Sequence, residues 1–332
     1  MTGPIGILAN PASGKDVRRL VARASVFDNQ EKCAIVRRAL VGAFNAGARD
    51  FVYLDDGHGI AAAAIGEFQN LSAEAVEAPQ TGSALDTERA ARAMQALDCA
   101  AVLILGGDGT SRAFVRGWRT APLLPLSTGT NNVFPRFAEA TVAGAAVGLI
   151  GSGTVALAEV SEPAKIIDVE IEDEDGDIAL IDAVVTTERF IGARALLEGD
   201  ALRLAILTRA EAAAVGMTSL GGLLQPLDEA TDAGLVLKLG EGSGKRLRAP
   251  IAPGYYQDIA VDEVRELPFD ESVEVTGPCV LAFDGERERT LKPGQKATLS
   301  ISRTGPQVLD VSRTLRLGAC RGAFLLGEQN AD

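Results

Sequence analysis

CAAVLILGGDGTSRAF (residues 99–114) opens with an unbroken apolar run, turns at two glycines and resumes as an amphipathic segment. A run such as Cys99–Leu105, with no polar residue at alternate positions, predicts a strand buried on both faces of a parallel sheet. The turn that ends it, Gly106-Gly107-Asp108-Gly109-Thr110, sets one carboxylate among residues suited to tight backbone geometry. Whether Asp108 serves architecture or chemistry depends on what surrounds the turn.

The flanking segments alternate. IGILAN (5–10) is a short apolar run ending in a turn, and DFVYL (50–54) is a second strand. EKCAIVRRALVGAFNAG (31–47) places Cys33, Val36, Leu40, Ala43 and Phe44 at helical spacing, with Gly47 set to cap its end. ALDTERAARAMQAL (84–97) predicts another helix, with Asp86 and Thr87 as N-cap candidates. This alternation predicts a doubly wound, three-layer α/β domain with a parallel sheet over residues 1–135. After about residue 155 the texture changes. KIIDVEIEDEDGDIALIDAVV (165–185) alternates on both sides of Asp175-Gly176, a hairpin signal, and GLVLKL, SVEVTG, CVLAFDG and KATLSIS follow as short strands. Residues 155–305 therefore predict an all-β, sandwich-like domain. Its one helical region is expected at ARALLEGDALRLAILTRAEAAAVG (193–216), and its most loop-like stretch is GEGSGKRLRAP (240–250). The tail, 306–332, is free to return to the first domain.

Composition narrows the function. The 332 residues carry 45 acidic and 32 basic side chains, a net charge of −13, which disfavours nucleic acid or anionic membrane as the main partner. Cys33, Cys99, Cys279 and Cys320 are widely spaced without a C-x-x-C pair, so four buried, reduced thiols are expected. MTGPIGILAN lacks a basic segment followed by a long apolar core, and no stretch approaches ~18 uninterrupted apolar residues. A cytoplasmic protein without membrane insertion is expected, and a homo-oligomer, dimer or tetramer.

Three glycine-containing turns follow apolar runs: NPASGK (10–15), GGDGTS (106–111) and STGTNN (127–132). In an open α/β sheet such turns lie at the carboxyl edge, where ligands bind. Glycine lets the backbone approach a phosphate, and a helix N-terminus offers unpaired N–H groups. The phosphate-binding candidates are Asn10, Ser13, Gly14 and Lys15, then Gly106, Gly107, Gly109 and Thr110, then Thr128, Gly129, Thr130, Asn131 and Asn132. No Walker A loop is present, since Ala9 replaces its first glycine and Asp16 follows Lys15; no G-x-G-x-x-G opens a helix. A carboxylate beside phosphates is repelled unless it handles a proton or a metal, so Asp108 reads as the group that orients or deprotonates an attacking hydroxyl.

Gly106–Thr110 resembles the G-G-D-G-T signature of the superfamily joining NAD kinases with diacylglycerol and sphingosine kinases. Asn10-Pro11-Ala12-Ser13-Gly14 and Thr128-Gly129-Thr130-Asn131-Asn132 are similar to turns of its lipid-kinase branch. LAFDGERERTLKPGQKATLSIS (281–302) resembles the closing strand-turn-strand, with the D-G-E of lipid kinases where NAD kinases have D-G-Q. IGILANPASGKDVRRLVARASVFDN (5–29) and RFIGARAL (189–196) are most similar to the acetoin catabolism protein X group of NAD-kinase-like proteins. The resemblance implies an N-terminal α/β domain, a C-terminal β-sandwich and a site between them. It implies ATP and Mg²⁺ as cofactors, with a nucleotide and a small molecule as partners. The expected activity is phosphorylation of a hydroxyl, foremost the adenosine-ribose 2′-hydroxyl of NAD(H). Alternatives are a lipid or small-alcohol kinase and a nucleotide-binding regulator without catalysis.

The resemblance offers two bases: Asp108, as in NAD kinases, and Glu286, as in lipid kinases. It sets Thr187-Glu188, in VVTTERF, where NAD kinases carry an acceptor-binding Asn-Glu pair, and adds Asp284 to the acceptor side. GMTSLGGLLQP (216–226) only faintly resembles their G-S-T-A-Y segment. His58, the lone histidine, assembles no triad. Lys245, Arg246 and Arg248 read as a solvated basic loop, and Glu172–Asp177 as a solvated hairpin tip.

Overall fold

In the computed structural model, the described residues are 2–13, 28–77, 80–129, 132–187, 201–240 and 244–325. The first domain is built from β1 (Ile5–Ala9), α1 (Asn29–Asn45), β2 (Asp50–Leu54), α2 (Ile60–Ile65), β3 (Ser72–Val76) and α3 (Ala84–Ala96). It continues through β4 (Ala101–Gly106), α4 (Asp108–Gly117), β5 (Pro122–Ser127), α5 (Ala140–Gly151) and β6 (Ser161–Pro163). Strands β3, β2, β1, β4 and β5 lie side by side in that order and run parallel. The chain thus winds outward from β1 to β3, then returns to β4 beside β1 and continues the other way. That reversal puts the topological switch point between β1 and β4, where open α/β sheets form their binding crevice. β1, β4 and β5 are buried along their whole length, as their apolar runs require.

Helix α1 is capped by the Asp28 carboxylate, which accepts the Glu31 N–H at 2.7 Å, and Gly47 follows the helix at φ +100°. Its buried face includes Lys32, Ile35, Val36, Ala39, Leu40 and Ala43. Helix α3 is capped one turn earlier than the sequence indicates, by Ser83. Asp86 instead accepts N–H bonds from Thr81 and Gly82, and Thr87 is buried against the core.

The second domain contains β7 (Ile166–Ile171), β8 (Asp177–Ala179), β9 (Asp182–Thr186), β10 (Leu202–Leu207), α6 (Met217–Leu224), β11 (Ala233–Leu239) and β12 (Lys245–Ala252). It closes with β13 (Tyr255–Pro268), β14 (Ser272–Thr276), β15 (Cys279–Phe283), β16 (Glu286–Leu291) and β17 (Lys296–Ser302). Two antiparallel sheets, ordered β12-β13-β11-β10-β9-β15-β16 and β14-β17-β7-β8, share a core of Val169, Val185, Ile206, Leu281, Phe283 and Leu299. The opposite face of the larger sheet packs on Met217 and Leu220 of α6. The tail then forms β18 (Gln307–Leu309), which joins the first sheet parallel to β5 and antiparallel to β6. Helix α7 (Val311–Cys320) follows and packs on α5.

Several expectations are corrected. The expected helix over 193–216 is a strand at Leu202–Leu207, where β9 and β11 pair with both edges; residues 193–200 lie outside the described residues. Two-sided pairing overrides the local Leu and Ala propensity for helix. Lys245, Arg246 and Arg248 stand exposed on the edge strand β12, not on a loop. Asp177, assigned to a solvated tip, is buried. Cys99 and Cys279 are buried as expected, Cys33 is half-buried and Cys320 is exposed; all four are free thiols. Among the described residues no helix is long and apolar enough to cross a membrane.

Candidate active site

The three glycine turns meet at the carboxyl ends of β1, β4 and β5. Asn10 Nδ2 donates to Thr110 Oγ1 at 2.8 Å, tying the first turn to the second across the switch point. Ser13 Oγ and Thr128 Oγ1 are hydrogen-bonded at 2.9 Å, tying the first turn to the third. Gly107 and Asn132 join the remaining pair: a Cβ on Gly107 would lie 2.8 Å from Asn132 Oδ1. A Cβ on Gly106 would lie 2.6 Å from Thr110 Cβ, so both glycines are required by close approach. Asn132 Nδ2 donates to Ser127 Oγ at 2.9 Å, and that hydroxyl donates to the Gly129 carbonyl at 2.7 Å. Gly14, Lys15, Thr130 and Asn131 lie outside the described residues.

The first turn has an anchor that sequence reading missed. Lys32, fully buried, donates through Nζ to the carbonyls of Asn10 (2.9 Å), Pro11 (3.1 Å) and Ser13 (2.7 Å). Charge-assisted bonds of this kind are about twice as strong as neutral ones and hold the turn's shape. The signal was present: Lys32 shares the helical face of Ile35, Val36 and Ala39, where a charge has no place without partners.

Asp108 occupies the first position of α4, after Gly107 in extended backbone. The helix's opening N–H groups have no acceptor within it, which favours an anion there. The half-buried Asp108 carboxylate turns toward the third loop. Val133 N–H donates to both its oxygens, at 3.1 and 3.2 Å, and Phe134 N–H to Oδ1 at 2.8 Å. Burial and the negative charge of Asp284 push its pKa up to about 7, against those N–H groups and the positive charge of Arg209.

Asp284 comes from the other domain. With Gly285 it forms the two-residue tip between β15 and β16, at φ +50° and +80°, the geometry that an Asp-Gly hairpin turn supplies. The tip is turned inward, with Asp284 only 7% exposed. Its carboxylate accepts N–H bonds from Leu180 (2.9 Å), Ile181 (2.8 Å) and Asp182 (3.2 Å). Burial raises its pKa to about 6, opposed by those N–H groups and by Arg112. Val133 and Phe134 of the first cradle and Leu180 and Ile181 of the second belong to one apolar cluster.

Arg209, two residues past β10, stands beside them, 6% exposed, 6.0 Å over the Phe134 ring and paired with Glu229 at 2.8 Å. Among the described residues its Nε is buried without a hydrogen-bond partner, as are the hydroxyls of Thr218 and Ser219 in the first turn of α6. The loop before α6 reaches the site through the Arg136–Glu211 ion pair at 3.1 Å.

The remaining expected residues lie either away from this site or outside the described residues. Thr187 is exposed beyond the far end of β9, five positions on from Asp182, about 16 Å of strand. The strand's near end, Asp182, is the one beside Asp284. Glu188 lies outside the described residues. Glu286 begins β16, and its side chain is likewise outside them. His58 is exposed in the loop after β2. A groove of about 580 Å³ lined by Gly3, Gly47, Arg49, Ser72 and Ser152 lies at the opposite, amino edge of the sheet. Among the described residues no three His, Cys, Asp or Glu side chains cluster to hold a metal ion.

This fold, an α/β domain with a reversing parallel sheet followed by antiparallel sheets and a returning tail, is that of the NAD kinases. The crystal structure of yeast NADH kinase complexed with NADH superposes with a TM-score of 0.56 at 13% identity, covering 100% of this chain and 89% of that one. Residues 5–153 match the ATP-NAD kinase N-terminal domain and residues 165–304 the acetoin catabolism protein X C-terminal domain. Acetoin catabolism protein X of Cupriavidus necator is 36% identical over 328 residues, covering 94% of this chain and 91% of the relative. The chain belongs to the acetoin catabolism protein X family.

Proposed function

We propose that the chain is a kinase that transfers the γ-phosphoryl group of Mg–ATP to a hydroxyl, with the adenosine-ribose 2′-hydroxyl of NAD(H) as acceptor and NADP(H) as product. The observation that carries this reading is Asp108: a carboxylate with a pKa near 7 at a helix N-terminus, inside three converging turns at the switch point. A general base works best when its pKa lies near the operating pH. The ATP-NAD kinase match over the first domain supports the donor and acceptor, and the fold shared with a kinase that binds NADH supports the acceptor further. The family's name supports a place in acetoin breakdown.

The residues present fit a polyphosphate. The Gly107 position, where a Cβ would meet Asn132, leaves bare backbone beside the N-terminus of α4. Gly106, Gly109, Thr110, Asn10, Ser13, Thr128, Gly129 and Asn132 would surround the donor phosphates, joined by Gly14, Lys15, Thr130 and Asn131. With no cluster of three ligands among the described residues, the cation would arrive on the nucleotide, as Mg²⁺ commonly does. Bound Mg–ATP supplies the electrophilic phosphorus. Asp108 takes the acceptor's hydroxyl proton as that oxygen bonds to phosphorus and ADP leaves. On the acceptor side stand Asp284, Asp182, Arg209 and the Thr218 and Ser219 hydroxyls, which have no hydrogen-bond partner among the described residues.

The test is an acceptor screen. The protein is incubated with Mg–ATP and NAD, NADH or diacylglycerol, and products are identified by mass spectrometry. NADP or NADPH is expected. A phosphorylated lipid in their place would reassign the acceptor, and no product from any of them would overturn the kinase reading.

A further inference from the structure

Arg112 lies one turn after Asp108 on α4, and spacing by four puts both side chains on one face of the helix. It is 3% exposed and fills the seam between the domains. Its Nε donates to the Ile178 carbonyl at 2.6 Å and its Nη2 to Asp177 Oδ1 at 2.7 Å, both on β8. The guanidinium carbon also lies 5.1 Å over the ring of Phe283, the last residue of β15. Both strands lead to Asp284. Two residues past Ile178 begin the three N–H groups that hold its carboxylate, and Phe283 immediately precedes it.

We propose that Arg112 is a positioning residue: it fixes β8 and the tip of β15 against α4, and so makes Asp284 the charge against which Asp108 takes and releases its proton. This rests on the assignment of Asp108 as the base. The charged groups are arranged in one sequence across the seam. Asp108 faces Asp284 and Arg209, and Arg209 is balanced by Glu211 and Glu229. Asp284 faces Arg112, with Asp182 next to it through its N–H. Asp177, the counter-charge of Arg112, also meets Arg289 at 3.2 Å and Arg116 at 3.6 Å. Arg112 favours the ionised form of Asp284, and ionised Asp284 raises the proton affinity of Asp108. Without the guanidinium charge, the proton shared by this pair moves to Asp284, and a neutral Asp284 no longer lifts Asp108.

The experiment is a ligand-free titration of the full chain, labelled with ¹³C at the aspartate side-chain carboxyl and followed by NMR. Asp108→Asn and Asp284→Asn assign the two resonances. In the native protein Asp108 is expected to titrate above Asp284. In Arg112→Met the order is expected to invert, with the Asp108 midpoint falling by about one pH unit. Asp177 keeps Arg116 and Arg289 in that variant, so it is not left unpaired. Should Arg112→Met not fold, Arg112→Gln, which retains a donor for Ile178 but no charge, carries the same expectation. Arg112→Lys restores a cation and should restore the native order. An unchanged order in folded Arg112→Met or Arg112→Gln would overturn the proposal, because a merely structural role leaves both midpoints in place. No nucleotide or turnover enters the measurement. Inversion in a protein without kinase activity would therefore refute only the kinase reading, and normal activity without inversion would refute only this proposal.

Discussion

Replacing Asp108 with asparagine should make the protein more stable at alkaline pH while removing its proposed base. The carboxyl is raised from 3.8 to about 7, so the native state holds a proton that the unfolded chain has released. The stabilisation from neutral Asp108 is fully present below pH ~4, the unfolded value, and is lost as pH rises through about 7. Above that, the ionised group costs the native state up to about 4 kcal/mol, at 1.36 kcal/mol per unit. The asparagine side chain would stay neutral throughout, and its amide oxygen can still accept the Val133 and Phe134 N–H groups. Urea unfolding at about pH 5, 6.5 and 8 should show Asp108→Asn more stable than wild type by roughly 2–4 kcal/mol at the highest pH, the gap closing toward pH 4. Groups that titrate in both proteins cancel in the comparison. Parallel stability curves, or a variant less stable at pH 8, would refute the assignment of a proton-holding carboxylate.

Lys32→Met should leave the Pro11 and Ser13 carbonyls without their donor, while Asn10 keeps its Ser13 bonds, and destabilise by about 2 kcal/mol or more in urea unfolding, at roughly 1–3 kcal/mol each; unchanged stability would contradict the anchoring role. Gly107→Ala drives a Cβ to 2.8 Å from Asn132 Oδ1 and should weaken Mg–ATP binding about tenfold by calorimetry, with melting nearly unchanged. Equal affinity would remove that turn from the donor site. Asp177→Leu strips the carboxylate from Arg112, Arg116 and Arg289 and should cost about 3–5 kcal/mol in urea unfolding. A loss under about 1 kcal/mol would mean that the seam is held by packing alone.

What was legible in the sequence was local. Apolar runs followed by glycine-containing turns gave β1, β4 and β5, and the Asp284-Gly285 dipeptide is a hairpin turn by its own backbone preferences. The meeting of the three turns follows from the same pattern, because parallel strands put all their carboxyl ends on one edge. What was not legible is non-local. Leu202–Leu207 reads as helix until β9 and β11 pair with it. Asp177 reads as one acid in a run, and its burial is explained by Arg112, 65 residues away, together with Arg116 and Arg289. The resemblance sets Thr187 on the acceptor side, but the direction of β9, fixed by pairing with β15, brings Asp182 beside Asp284 instead. The spacing of Asp108, Arg112 and Arg116 on one helical face was available and marks the side of α4 that meets the second domain.

The most direct test is a single-turnover measurement of NADP(H) formation from Mg–ATP and NAD(H), comparing wild type with Asp108→Asn and Glu286→Gln, folding confirmed by melting. Wild type should form the product, Asp108→Asn should slow it by roughly 10²–10⁴-fold, and Glu286→Gln should cost far less. Equal, negligible losses in both variants, or a larger loss from Glu286→Gln, would contradict Asp108 as the base.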